Sequence, residues 1–138
     1  MAQDKHLVLI GVGPGIGRSV ACLFALKRYN RVSLIARRAA QLEIEREAVL
    51  QATSGSDVGV KTYAVDVADK EALLEALADA QRVFGKPECV YYNAARVVPS
   101  KLLSHDVDEI EYDFKVRVMV CGTFSSRHAG TLTLSFFL

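Results

Sequence analysis

Four glycines fall within seven residues near the start of the chain, Gly11-Val12-Gly13-Pro14-Gly15-Ile16-Gly17, at the entry to a segment of helical periodicity. Such a loop suits a phosphate or pyrophosphate, because the first N–H groups of a helix lack intrahelical partners and the helix dipole favours negative charge there. A Cβ in the loop would block a tight turn or hold the phosphate away. The common dinucleotide spacing G-x-G-x-x-G fails, since Ile16 and Arg18 stand where its third glycine would fall. Two other spacings fit: Gly11, Gly15 and Gly17 make G-x-x-x-G-x-G, and Gly11, Gly13 and Gly15 make G-x-G-x-G.

A second group of residues narrows the ligand. An acid about 20 residues after the glycine loop accepts hydrogen bonds from ribose hydroxyls. Here Arg37, 20 residues after Gly17, and Arg38 take that place. A guanidinium brings a permanent charge and a fork of donors that match a ribose 2′-phosphate, so the pattern favours NADP(H) over NAD. Two cations at a helix start oppose its dipole by about 0.3–1 kcal/mol each, and a bound anion would offset that cost. The surrounding charge points the same way: no acid lies between Asp4 and Glu43, whereas Lys5, Arg18, Lys27, Arg28, Arg31, Arg37 and Arg38 all do. The segment reads as prepared for an anion.

The elements that must position these groups follow from hydrophobic periodicity. His6 to Ile10, Val32 to Ala36, Val58 to Val65 and Glu88 to Tyr92 read as strands, and Ile16 to Tyr29, Ala39 to Ala52, Asp69 to Phe84 and the segment from Asp106 through Val118 as helices. Strict alternation of strand and helix predicts a doubly wound α/β fold with a Rossmann-like parallel sheet of about four to five strands. Ligands of such sheets bind beyond the carboxyl ends of the strands, so Gly11, Ala36, Asp66 and Asn93 should converge. Residues 1–130 read as an NAD(P)-binding domain, and 131–138 as an apolar tail or a fifth strand.

Taken in order, these motifs resemble the short-chain dehydrogenase/reductase family from Leu7 to Phe124. Gly11, Gly15-Ile16-Gly17, Asp66-Val67 and Tyr92-Asn93-Ala94-Ala95 match its motifs, with Ile10 replacing a usual Thr and Ala95 a usual Gly. The resemblance implies that Gly11, Gly13, Gly15, Ile16, Gly17, Arg37, Arg38, Asp66, Val67, Asn93, Ala94 and Ala95 hold NADP(H), with Asp66 and Val67 beside the adenine. It implies an oxidoreductase transferring hydride to a carbonyl or from an alcohol. The G-x-G-x-G reading is similar instead to S-adenosylmethionine methyltransferases, but Ile10 and Arg37 replace acids expected there.

The family's proton relay needs Tyr-x-x-x-Lys, which sets both side chains one helical turn apart toward one cleft. The five tyrosines are followed four residues later by Ser33, Val67, Ala95, Arg96 and Val116, so no catalytic residue is assigned. Met119 falls at the position of the family's helical Asn, and Ser135 is a weak match for its catalytic Ser. The expectation is a cofactor-binding half, cut before the Tyr-x-x-x-Lys region and inactive as it stands. The alternative is a non-catalytic nucleotide-binding or interaction protein that pairs through its sheet edge and the apolar Ser135-Phe136-Phe137-Leu138 with itself or a full-length relative.

Composition supports one ordinary domain: 138 residues, 51% hydrophobic and 24% charged, with a net charge of +1. That balance offers no field for nucleic acid or an anionic membrane, and no apolar run approaches the roughly 18 residues of a spanning helix. A cytoplasmic location is expected. Cys22, Cys89 and Cys121 read as small core residues, and His6, His105 and His128 show no metal-ligand spacing.

Overall fold

The computed structural model describes residues 3–94, 106–115 and 133–136. In chain order the elements are β1 (His6–Ile10), α1 (Ile16–Lys27), β2 (Arg31–Ala36), α2 (Ala39–Ala52), β3 (Gly59–Ala64), α3 (Lys70–Phe84), β4 (Cys89–Tyr92), α4 (Val107–Phe114) and β5 (Thr133–Phe136). The strands form one sheet in the order β3-β2-β1-β4-β5, all neighbours parallel. This is the doubly wound, Rossmann-like architecture expected from the alternation of strands and helices. The alternating segment near residue 133 is a strand, in register with β4 from Cys89↔Thr133 to Tyr92↔Phe136.

Side-chain alternation explains why the central strands read as unbroken apolar runs. On one face Leu7, Leu9, Val32 and Leu34 meet Ala21 and Ala25 of α1 and Leu42 and Val49 of α2. On the other face Val8, Ile10, Ile35 and Val90 meet Leu73 of α3 and Val67. A strand covered on both faces needs no polar alternation. The sheet reverses its strand order between β1 and β4, and the crevice beyond their carboxyl ends opens there.

Helix starts differ in a way that matters for the site. Asp69 caps α3 by accepting from the Ala72 N–H at 3.1 Å, and Glu71 adds an acid to its first turn. Neither α1, which begins after Gly15, nor α2, which begins after Arg38, has a side-chain cap or an acid in its first turn. Their first N–H groups are thus without side-chain caps at the end of the sheet where ligands bind.

At the opposite end His6, the first residue of β1, is buried. Its Nδ1 lies 2.8 Å from the Gly85 carbonyl, which can only accept, so Nδ1 carries the proton. Nε2 then accepts from the Ser33 hydroxyl at 2.8 Å, and Phe84 packs edge-on against the ring. Burial pushes the imidazole pKa down, against the raising effect of the Gly85 bond.

Candidate functional site

The four loop glycines divide into two pairs. Gly11 adopts φ +88°, and its N–H donates to the Ile35 carbonyl at 2.8 Å. A Cβ there would lie 2.3 Å from the Ala94 nitrogen and 2.6 Å from the Asn93 carbonyl carbon, so Gly11 lets the ends of β1 and β4 touch. Gly17 has a similar role between α1 and the loop, since a Cβ would stand 2.9 Å from the Val12 Cα. Gly13 and Gly15, by contrast, have nothing within 4 Å of that position. Their open side belongs to the wall of a cleft of about 540 Å³.

That cleft gathers most of the residues singled out by sequence. Gly11, Gly13, Gly15, Ile16 and Gly17 form one wall, Arg37 and Arg38 stand at the end of β2, and Val67, Asn93 and Ala94 complete the circuit. Ala36 converges with them as expected. Asp66 does not line the cleft. Its carboxylate turns to the Ala68 N–H at 2.9 Å and to the Tyr112 hydroxyl at 2.9 and 3.0 Å, and Tyr112 is itself a wall residue. Ala95 lies outside the described residues, as do His105, Met119, Cys121 and His128. Four further wall residues, Val12, Gln41, Val65 and Tyr112, were not anticipated. Val12 and Val65 adjoin motifs and could have been included, whereas nothing local marks Gln41 or Tyr112.

The basic segment is less available to an anion than its composition suggests. Arg18 makes a two-pronged bond to Glu45, Nε to Oε2 at 2.6 Å and Nη2 to Oε1 at 2.9 Å, and Gln41 donates to the same carboxylate at 2.6 Å. Burial raises the pKa of Glu45, but the bonds from Arg18 and Gln41 outweigh it, and the carboxyl ends below its ordinary range. Arg28 pairs with Glu88, and Arg31 with Asp4 and Asp57. Three of the seven cations are therefore already paired with carboxylates of the fold, which corrects the expectation that the whole segment serves an anion. Arg37 and Arg38 remain at the cleft. Arg37 Nη1 lies 3.4 Å from a neutral group, the Tyr112 hydroxyl.

Chemically, the site offers unfilled space over two glycines, two helix starts without side-chain caps, two guanidinium groups and the apolar walls Val65 and Val67, with no carboxylate among its wall residues. A family model described as "KR domain" matches residues 5–127. The chain belongs to the short-chain dehydrogenase/reductase family. An uncharacterized oxidoreductase of Staphylococcus aureus (strain USA300) is 30% identical over 131 residues, covering 95% of this chain and 53% of that protein. This member of the family thus spans about half the length of that curated relative. Among solved structures, L-sorbose reductase from Gluconobacter frateurii, complexed with NADPH and L-sorbose, superposes with a TM-score of 0.78 at 22% identity, over 90% of this chain and 46% of that one. A Serratia marcescens short-chain dehydrogenase/reductase mutant gives a TM-score of 0.76 at 22% identity, over 96% and 55% of the two chains. Among the described residues no helix is long and apolar enough to cross a membrane, and no group of three His, Cys, Asp or Glu could hold a metal ion.

Proposed function

We propose that this chain binds NADP(H) in the cleft and forms the cofactor-binding portion, residues 1–130, of an oxidoreductase acting on a carbonyl or alcohol. The observation that carries the reading is the meeting of Arg37 and Arg38 with the open faces of Gly13 and Gly15 around one cavity without acidic wall residues. The cavity fits such a ligand: about 540 Å³ is within the ordinary range for small-molecule sites, and its walls carry both apolar and cationic side chains. N–H groups of Gly13, Gly15, Ile16 and Gly17 would hold the pyrophosphate at the start of α1. Arg37 and Arg38 would hold the 2′-phosphate, Asp66 and Val67 the base, and Asn93, Ala94 and Ala95 the far end of the dinucleotide. The NADPH complex of L-sorbose reductase and a putative Burkholderia cenocepacia dehydrogenase with bound NADP support the choice of ligand.

When bound, the nicotinamide supplies a hydride donor or acceptor. This chain's residues would bind and orient it. Proton transfer to substrate falls outside their reach, because no Tyr-x-x-x-Lys occurs in the 138 residues. The purified chain therefore binds cofactor without turning over a carbonyl substrate. Its free thiols Cys22 and Cys89 suit a reducing compartment such as the cytoplasm.

Titration with NADPH and NADH tests the proposal. NADPH should bind about 10- to 100-fold more tightly, the difference of one charge-assisted phosphate contact. Equal affinities would remove Arg37 and Arg38 as phosphate readers. A second reading, pairing with a longer relative or another copy, draws on β5, whose described neighbour is β4 on one side alone. Light scattering on the eluted protein decides it, and a monomer across the micromolar range argues against pairing.

A further inference from the structure

The geometry points to Tyr112 as a latch on the cofactor cleft, a device that rests on the cofactor reading above. Its phenol spans two residues assigned to opposite parts of the same nucleotide. The hydroxyl proton is shared between Asp66 Oδ2 at 2.9 Å and Oδ1 at 3.0 Å, while Arg37 Nη1 approaches the phenolic oxygen at 3.4 Å. The ring packs beside Val65, Ala68 and Ala94 against the second core face. Tyr112 lies on α4, which has no fully buried residue and leaves Val107, Ile110 and Phe114 exposed.

An entering dinucleotide needs the groups that Tyr112 holds. A base amino group requires an acceptor, and Asp66 already has both oxygens toward the phenol, with Oδ1 also taking the Ala68 N–H. A 2′-phosphate draws Arg37 with charge on both sides of the bond, against which a neutral phenol competes poorly. Binding therefore breaks the Asp66–Tyr112–Arg37 chain and frees α4 from the cleft rim. The cost is common to NADPH and NADH, because the contact to Asp66 must open for either. Burial and the adjacent Asp66 carboxylate raise the Tyr112 pKa, so the phenol keeps its proton and the latch stays closed at neutral pH.

Tyr112→Phe keeps the ring and removes the hydroxyl. Its affinity for NADPH and for NADH should each rise about three- to tenfold by the same factor, the worth of one net hydrogen bond. Arg37→Ala should instead weaken NADPH alone. As a measurement independent of any variant, amide hydrogen exchange in residues 107–115 of the unmodified chain should speed up on saturation with NADPH. Binding by the unmodified chain, with unchanged or weaker binding by Tyr112→Phe, would overturn the latch and leave the cofactor reading standing. Slower exchange of α4 on saturation would do the same. Failure of both chains to bind NADPH or NADH would overturn the cofactor reading and the latch together.

Discussion

Replacing Gly11 or Gly13 with alanine separates a glycine that holds the fold from one that leaves room for ligand. At Gly11 an alanine must keep φ +88°, which costs an L-residue about 1–2 kcal/mol. Its Cβ would also lie 2.3, 2.5 and 2.6 Å from backbone atoms of Ala94 and Asn93, none of which can swing aside as a side chain could. Forcing β1 and β4 apart at their ends adds about 1–3 kcal/mol, in the range of overpacked cores. The loss of about 2–5 kcal/mol exceeds the few tenths to 1 kcal/mol that alanine gains by restricting the unfolded chain. With an unfolding entropy of about 2.1 cal/mol/K per residue, 138 residues translate this into a Tm lower by about 7–17 °C. Gly13 has nothing within 4 Å of a Cβ, so its alanine variant should melt within about 2 °C of the parent. The added methyl fills the cleft wall and should weaken NADPH at least about tenfold, or about 1.4 kcal/mol. Circular dichroism melts and NADPH fluorescence titrations read both outcomes. A Gly11→Ala chain that melts with the parent would refute the packing argument, and a Gly13→Ala chain with full NADPH affinity would refute the ligand argument.

Other consequences concern stability and pH. Burial holds the His6 pKa below 6.5, so the unfolded chain takes up a proton before the folded one. Stability should be level above about pH 7 and fall as pH drops below 6.5, and His6→Gln should flatten that limb in urea titrations at pH 7.5, 6.5 and 5.5. Glu45 is likewise held below its ordinary 4.5, here by the bonds from Arg18 and Gln41, so its contribution is complete above that pH and is lost as pH falls through the folded pKa. Glu45→Gln should lose this part of the acid dependence, and an unaltered acid limb would contradict the buried Arg18–Glu45 pair. Asp69→Ala removes the α3 cap and should cost about 1 kcal/mol, or about 3–4 °C in Tm. No change in Tm would mean that the 3.1 Å bond to Ala72 contributes nothing measurable.

Residues 6–10 and 31–36 disclosed their structure because both faces of these strands are covered, so nearly every position is apolar. The placing of the glycine loop and Arg37 at the cleft was equally legible, since both follow a strand at short local spacing. Partnerships between distant residues were not. Arg18 and Glu45 are 27 apart, and no periodicity tells that one neutralises the other rather than serving an anion. Arg31 likewise bridges Asp4, just before β1, and Asp57, just before β3. Tyr112 reads as an ordinary amphipathic-helix residue, and only the packing of α4 brings it 46 positions back to Asp66. Hydrophobic pattern states which face of an element is covered, not what covers it. The same limit hid the division among the glycines, because what a Cβ at Gly11 would strike belongs to the end of β4.

Phosphorus NMR of NADP⁺ bound to the unmodified chain shows whether Arg37 and Arg38 read a ribose 2′-phosphate in the cleft. A free phosphate monoester takes up its second proton near pH 6, and two adjacent guanidinium groups favour the dianion. The 2′-phosphate resonance should shift on binding and titrate at least about one unit lower than in free NADP⁺, with Arg37→Ala returning it most of the way. A bound 2′-phosphate that titrates like the free nucleotide, while the pyrophosphate resonances shift, would contradict that role for Arg37 and Arg38.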